Sequence, residues 1–463
     1  MTAPLKKNDI IRLNIDGMTS EGSAVGRLDS LAVFVPNGAI GDVLDCRIIK
    51  VKKNYAVGKI ENIITPSPDR IESDCPVSDK CGGCAYRHIS YEAELRIKRQ
   101  TVVDAFKRIG GIDIEVEPVI PADDVNFYRN KAQFPVREEK DEIRIGFFAP
   151  RSHRIIECGG ICRLQPSEFG EIVNEVRQWM RENKIKAYDE LTGKGLVRHI
   201  YLRKGFGSGE IMLCLVLNGT LNEKDKDILI KRVSEKFPAV KSVYLNKNTK
   251  DTNVILGDEY SLVYGAEAIR DKLGELNVKL PPQVFFQVNK AQAERLYRKA
   301  AKLANLKEGE TLVDLYCGTG TIGLFMIKES GLKNVKLIGI EVVEESVETA
   351  KKNAVENGIE NTEFICGSAE TAAEILLQRN EQPDVLLLDP PRKGCAPELI
   401  DIIAQINPKR IVYISCDPAT LARDCKLFKE KGYTLSSCTP LDLFPRTPHV
   451  ETVVLMSKVK NQV

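Results

Sequence analysis

The sequence predicts an α/β protein: a C-terminal Rossmann-like domain, an OB-like β-barrel at the N-terminus, and an α+β domain between them. Three observations lead there. From about residue 285 onward, short apolar runs alternate with helical stretches, the signature of a parallel sheet covered on both faces. Residues 5–64 hold short strands separated by glycine turns, which suits a small barrel. At 463 residues the chain exceeds what one hydrophobic core can organise, so we divide it at 1–64, 65–270 and 271–463.

Element by element, residues 10–15, 31–35, 43–49 and 55–60 read as strands. A turn-rich stretch with Gly17, Gly22 and Gly26 follows the first, and Pro36-Asn37-Gly38 makes another turn. Thr65-Pro66-Ser67-Pro68-Asp69-Arg70 has linker composition. After a cysteine segment, an amphipathic helix is expected over 91–109, stopped by Gly110-Gly111. In the middle domain, 143–148 and 211–217 read as strands and 169–183 as a helix. In the last, strands at 312–315, 337–341, 363–366, 385–389 and 411–415 alternate with helices, one through Phe325-Met326-Ile327 and one over 346–357.

Bulk properties narrow the class. No run of about 18 apolar residues appears, which argues against a membrane span. Met1-Thr2-Ala3-Pro4-Leu5-Lys6-Lys7 lacks the apolar core of a signal segment, so a cytoplasmic protein is expected. A net charge of +2 neither requires nor excludes a polyanionic partner. An RNA binder of this charge concentrates its cations locally, as at Lys50-Val51-Lys52-Lys53.

The chemistry sits in the last third. Asp314-Leu315-Tyr316-Cys317-Gly318-Thr319-Gly320 follows a strand and precedes a helix, where glycine lets backbone approach a ligand. In open parallel sheets ligands bind beyond the strand carboxyl ends. Glu341 ends the next strand, where an acid can accept both ribose hydroxyls of a nucleoside cofactor. Asp389-Pro390-Pro391-Arg392 closes another strand; its two prolines fix an extended turn and open a slot for a flat ring. Asp389 is placed either to orient a donor or to hydrogen-bond a base edge. Cys416 lies just past a strand in Ser415-Cys416-Asp417-Pro418, and Glu451 opens an apolar strand in His449-Val450-Glu451.

A thiol and a base suit methylation of uracil carbon 5, a poor nucleophile. A thiolate adding to carbon 6 makes the ring an enolate, and carbon 5 then takes a methyl group from a cationic donor. A base must next remove the carbon-5 proton so that the thiolate can leave.

Of 13 cysteines most are scattered, but Cys75, Cys81 and Cys84 fall at ligand spacing, with Gly82-Gly83 allowing a tight wrap. Spacing leaves zinc and an iron–sulfur cluster equally open.

At these residues the chain resembles the RNA uridine-5-methyltransferases, and within them the 23S ribosomal RNA branch with a TRAM domain and an iron–sulfur cluster. The likeness runs nearly end to end. It implies S-adenosylmethionine as donor, Cys416 as nucleophile and Glu451 as proton-abstracting base. Residues 5–64 look like the TRAM module, an RNA-gripping barrel. Phe285-Phe286-Gln287-Val288-Asn289 matches the family's F-x-Q-V-N segment, implying Gln287 at the cofactor and Phe285 against the target base. Tyr316, Glu341 and Asp389 fall on the other cofactor positions, and Tyr128-Arg129-Asn130-Lys131 resembles a segment near the substrate. Thr321 departs from relatives that carry Asn there, which leaves its cofactor role open. The resemblance also decides for a 4Fe-4S cluster on Cys75, Cys81, Cys84 and a distal Cys162, with Cys158 a rival for the fourth place. The expected substrate is ribosomal RNA, with the base flipped from its stack. No obligate protein partner is inferred. The rivals are transfer RNA with the same chemistry, amino-group methylation, and a non-catalytic RNA-binding or iron-sensing protein.

Overall fold

The computed structural model describes residues 5–158 and 160–458. In its first segment β1 (Ile10–Met18), β2 (Ala24–Leu28), β3 (Leu31–Val35), β4 (Val43–Val51) and β5 (Tyr55–Thr65) close a barrel in the order β1-β2-β3-β5-β4. Alternate side chains point inward, so Leu13, Ile15, Val33, Val35, Leu44, Cys46 and Ile48 form its core. The parallel β3–β5 contact and the antiparallel β1–β4 contact seal it, a five-stranded closure of the OB type. Strand β2 lies where the sequence suggested only turns. Gly26 hides it: a Cβ there would sit 2.4 Å from the Asn14 carbonyl oxygen, so the close crossing of β1 requires a residue with poor strand propensity.

Helix α1 (Tyr91–Ala105) starts at Ser90, whose side chain accepts the Ala93 N–H. The expected helix to residue 109 instead finishes as a π turn, Phe106–Gly110, capped by left-handed Gly111. A later helix packs so closely here that a Cβ on Gly110 would lie 3.0 Å from the Ala422 carbonyl oxygen. The central unit is a seven-stranded sheet of β6 (Lys131–Glu139), β7 (Glu142–Phe148), β8 (Ile155–Glu157), β9 (Val197–Lys204), β10 (Ile211–Leu217), β11 (Val240–Lys247) and β12 (Glu259–Gly265). Their order is β12-β11-β10-β9-β6-β7-β8. Helices α2 (Ser167–Glu182) and α3 (Glu223–Lys236) cover one face around fully buried Trp179.

The hairpin β13 (Ile269–Leu273)–β14 (Leu276–Leu280) and α4 (Lys290–Ala304) lead into the last unit. There β15 (Thr311–Asp314), α5 (Thr321–Ser330), β16 (Lys336–Glu341), α6 (Glu344–Glu356), β17 (Thr362–Cys366), α7 (Ala369–Gln378), β18 (Val385–Leu388), α8 (Pro397–Ile406), β19 (Arg410–Ser415) and α9 (Pro418–Glu430) alternate. Strands β20 (Tyr433–Leu441) and β21 (Glu451–Lys458) complete a sheet ordered β17-β16-β15-β18-β19-β21-β20. The five strands read from the sequence pair in parallel, and β21, to which the sequence assigned no direction, runs antiparallel to both its neighbours. The connection from β20 to β21, residues 442–450, is too short for the long crossover that parallel pairing needs. Among the described residues no helix is long and apolar enough to cross a membrane.

Candidate active site

The antiparallel β21 brings the thiol and the acid together. Ser415 on β19 pairs with Thr452 on β21. Cys416 follows Ser415 just past β19 and Glu451 precedes Thr452 on β21, so this register carries the two to neighbouring positions at the carboxyl edge of the parallel strands, where Glu451 acts electrostatically on the thiol. Cross-strand neighbours of this kind have Cβ atoms about 5 Å apart. Asp417 turns the chain into α9, its carboxylate accepting the N–H groups of Ala419 (2.9 Å) and Thr420 (3.0 Å). Asp389 leaves β18 on the same edge, one strand over.

These groups hold protons. Burial pushes Glu451, 3% exposed, up to about 8; Asp389 adds to the rise and Arg392 opposes it. Burial pushes Asp389 to about 7. The Cys416 thiol is pushed up to about 11 by burial, then by Glu451 and Asp389, against the pull of Arg392. The Asp389–Cys395 turn that carries Arg392 is pinned by α9. Thr420 donates to the Arg392 carbonyl (3.2 Å), and fully buried Asp424 accepts the Cys395 N–H (2.8 Å) and the Tyr413 hydroxyl (2.7 Å).

On the other side of Asp389 lies the glycine loop. Gly318 and Gly320 take φ values of +54° and +75°, the left-handed region that favours glycine. Glu341 accepts the Gly318 N–H (3.2 Å) and the Val343 N–H (2.9 Å), so this carboxylate shapes the loop it adjoins. Tyr316 packs half-buried against the apolar layer below. Gln287 is buried, whereas Phe285, two residues earlier in an extended segment, is 64% exposed. Asn289 caps α4 and donates to the Leu443 carbonyl (3.1 Å).

Asp314, at the end of β15, was singled out only as part of the loop motif. It is fully buried; burial followed by Asp389 pushes it to about 8, against the backbone N–H groups of Tyr316 and Gly323, which favour its charged form. Buried Tyr297 on α4 stands beside Asp389, Thr321, Glu451 and Asp314. A Cβ on Gly318 would meet nothing within 4 Å. Open space beside the loop, and buried strand-end carboxyls around it, fit a positively charged nucleoside ligand. The roles of Asp314, Arg392 and Tyr297 were not read from sequence; the signal available was an acid at a strand end and an arginine in the proline turn.

Two motifs far apart in sequence pair directly. Asn130 donates its N–H to the Val288 carbonyl (2.8 Å) and its side-chain N–H to the Gln287 carbonyl (2.9 Å). Lys131 lies 5.9 Å from the Phe285 ring centre. A cleft of about 900 Å³ opens over Cys416, between Asp16 and Arg27 of the barrel, Thr101 and Arg108 near α1, and His449.

A second cavity, about 250 Å³, is walled by Cys75, Cys81, Cys84, Cys158 and Cys162 together with Arg87, Arg129 and Lys131. Gly83 donates its N–H to the Cys81 sulfur (3.4 Å) and Arg87 its Nε–H to the Cys84 sulfur (3.3 Å). Cys81 and Cys84, raised chiefly by burial, are each raised further by Cys162. Among the described residues no three Cys, His, Asp or Glu side chains converge as ligands of a single metal ion.

A sheet with a left-handed glycine loop, a thiol–acid pair at its carboxyl edge and an appended barrel defines an α/β methyltransferase with a TRAM domain. The tRNA (uracil-5-)-methyltransferase family matches residues 90–459 and the TRAM domain matches 4–60. The chain belongs to that family and is an RNA (uracil-5-)-methyltransferase. It is 43% identical over 456 residues to an uncharacterized RNA methyltransferase of Clostridium tetani, covering 98% of this chain and 97% of the other. A Halalkalibacterium halodurans relative of the same description is 40% identical over 460 residues, with 99% of each chain covered. Among solved structures, the Pyrococcus abyssi tRNA (uracil-54, C5)-methyltransferase in complex with S-adenosyl-L-homocysteine superposes with a TM-score of 0.75 at 27% identity. That match covers 96% of this chain and 100% of the other.

Proposed function

We propose that the enzyme methylates carbon 5 of a uridine in 23S ribosomal RNA, using S-adenosylmethionine, through a transient bond between Cys416 and carbon 6. The register that sets Cys416 beside Glu451 supports this most directly. When bound, the donor supplies a methyl group on a sulfonium. Gln287, Tyr316, Glu341 and Asp389 hold it along the carboxyl edge. Cys416 gives its proton to water in the cleft and its thiolate adds to carbon 6; the pair of electrons moved into the ring makes carbon 5 the nucleophile that takes the methyl group. Glu451 then takes the carbon-5 proton, and the Cys416–carbon 6 bond breaks to restore the double bond. A cation beside Glu451 and Cys416 lowers both from their raised values, toward the ionised forms the reaction needs. Phe285 stacks on the unpaired target base and the barrel grips flanking RNA.

Cys75, Cys81, Cys84 and Cys162 bind a 4Fe-4S cluster in this reading. A cavity walled by thiols, with N–H donors aimed at two of the sulfurs, suits a cluster that spreads its ligands. Cys162 takes the fourth place in this reading on the family resemblance alone, and Cys158 lines the same cavity. The cluster would be structural or position the RNA, since methyl transfer moves no net electrons.

Transfer RNA is the competing substrate, because the Pyrococcus abyssi protein that matches along nearly the whole chain is a tRNA methyltransferase. Labelled methyl transfer to unmodified 23S ribosomal RNA and tRNA transcripts separates the two. In the same assay Cys416→Ala should abolish turnover while the donor still binds, and Glu451→Gln should leave a protein–RNA species stable on a denaturing gel. Undiminished activity in Cys416→Ala refutes the nucleophile.

A further inference from the structure

The segment from β20 to β21 ends in Glu451, yet its charged anchors lie on another part of the chain. Lys98 and Glu94, one turn apart on α1, are both completely buried. The Lys98 ammonium donates to Glu94 Oε1 (2.7 Å), to Asp442 Oδ1 (2.6 Å) and to the Phe444 carbonyl (3.1 Å), which uses all three of its protons. The other Asp442 oxygen accepts the Tyr91 hydroxyl (2.9 Å). Glu94 Oε1 also accepts the backbone N–H of Arg446 (2.7 Å), a residue held at φ +69°. That left-handed geometry persists only where surroundings over-determine it. On the other side of Arg446, its carbonyl accepts the N–H groups of Ala85 (2.8 Å) and Tyr86 (3.2 Å), next to Cys84. Five residues later the chain enters β21 at Glu451.

We propose that Lys98, clamped between Glu94 and Asp442, is a positioning residue for Glu451: through residues 442–446 it sets the point at which β21 begins beside Cys416. The inference rests on Cys416 as nucleophile and Glu451 as base. A buried ion pair adds little net stability over apolar packing of the same volume, and its best-attested use is to select one register. Here a one-residue slip would turn Glu451 to the opposite face of the sheet. Loosening the clamp therefore acts on the last step, removal of the carbon-5 proton, and leaves binding of RNA and donor and attack by Cys416 in place.

The test uses the full chain, labelled S-adenosylmethionine, and unmodified 23S ribosomal RNA and tRNA transcripts as probes. Asp442→Asn keeps the shape but removes one charge from the clamp and exchanges one acceptor oxygen for a donor; Lys98→Met removes the clamp itself. If Lys98→Met does not fold, Asp442→Asn decides. We expect Asp442→Asn to melt as a folded protein and to bind S-adenosylhomocysteine as the wild type does. Its kcat should fall about 10- to 100-fold at unchanged KM, the scale of a small misplacement of a reacting group. It should also accumulate methylated protein–RNA adduct, as Glu451→Gln does. Wild-type turnover in Asp442→Asn, or a loss that tracks loss of folded protein with no adduct, overturns the role of Lys98. Adduct in Glu451→Gln but not in either clamp variant sinks this inference alone. No adduct even in Glu451→Gln removes the base assignment, and the inference with it.

Discussion

The protonation of Cys416 offers a direct measurement of the site's electrostatics. Burial and three neighbouring acids, Glu451, Asp389 and Asp417, raise the thiol from its ordinary 9.0 to about 11 in the free enzyme. At pH 8 a thiol at 9.0 is ionised about one part in ten and one at 11 about one part in a thousand, so the folded site holds roughly 100-fold less thiolate. Alkylation by iodoacetamide, followed on the Cys416 peptide by mass spectrometry from pH 6 to 11, reports this fraction. The rate should climb up to the highest pH, whereas the urea-unfolded chain should level off near its ordinary value. Glu451 carries charge only above about pH 8, so Glu451→Gln should match the wild type below that pH and react faster above it. Arg392→Gln should move the profile the other way, because the guanidinium is the group that lowers the thiol. A wild-type midpoint at or below 9, or slower alkylation of Glu451→Gln at pH 9.5, would refute the reasoning.

Asp314 links the same site to stability. Its carboxyl is held at about 8 in the fold against an ordinary 3.8, so between those values the native state keeps a proton that the unfolded chain has released. Stability should therefore fall as pH rises from about 4 to 8, by at most about 1.4 kcal/mol per pH unit from this group, and level off above 8. Asp314→Asn removes the slope, so its melting temperature relative to wild type should rise from pH 5 to pH 8; a constant difference sinks the argument. For the cysteine cavity, anaerobically purified protein should contain iron and sulfide in equal amounts. Cys162→Ser should lose both while Cys158→Ser retains them; the reverse result would exchange the two residues' roles.

Much of the site was legible because it is written in local chemistry. The glycine loop after β15, the prolines after β18 and the cysteine after β19 each lie within a few residues of a strand end, where backbone geometry and side chain type state their own purpose. The central parallel strands β15, β16, β18 and β19 were legible because, largely buried, they read as apolar runs; the edge strand β17 is only partly buried. Strand β2 was not, since the close approach of β1 demands Gly26 and glycine reads as a turn. Asp314 and Arg392 were visible as residues but not as actors, because their effect is electrostatic and depends on which distant carboxyls share their low-dielectric surroundings.

By itself, then, the amino-acid order determined the kinds of group available: a thiol, strand-end acids, a glycine loop and a set of spaced cysteines. Tertiary structure decided which of them meet. Cys416 and Glu451 adjoin because β21 runs antiparallel beside β19 in one particular register. Asn130 reaches Gln287 because the central sheet docks on the segment before α4. Lys98 reaches Asp442 across 344 residues of chain. Register and docking follow from the burial of whole faces, summed over many weak contacts, and no short stretch of sequence carries that sum.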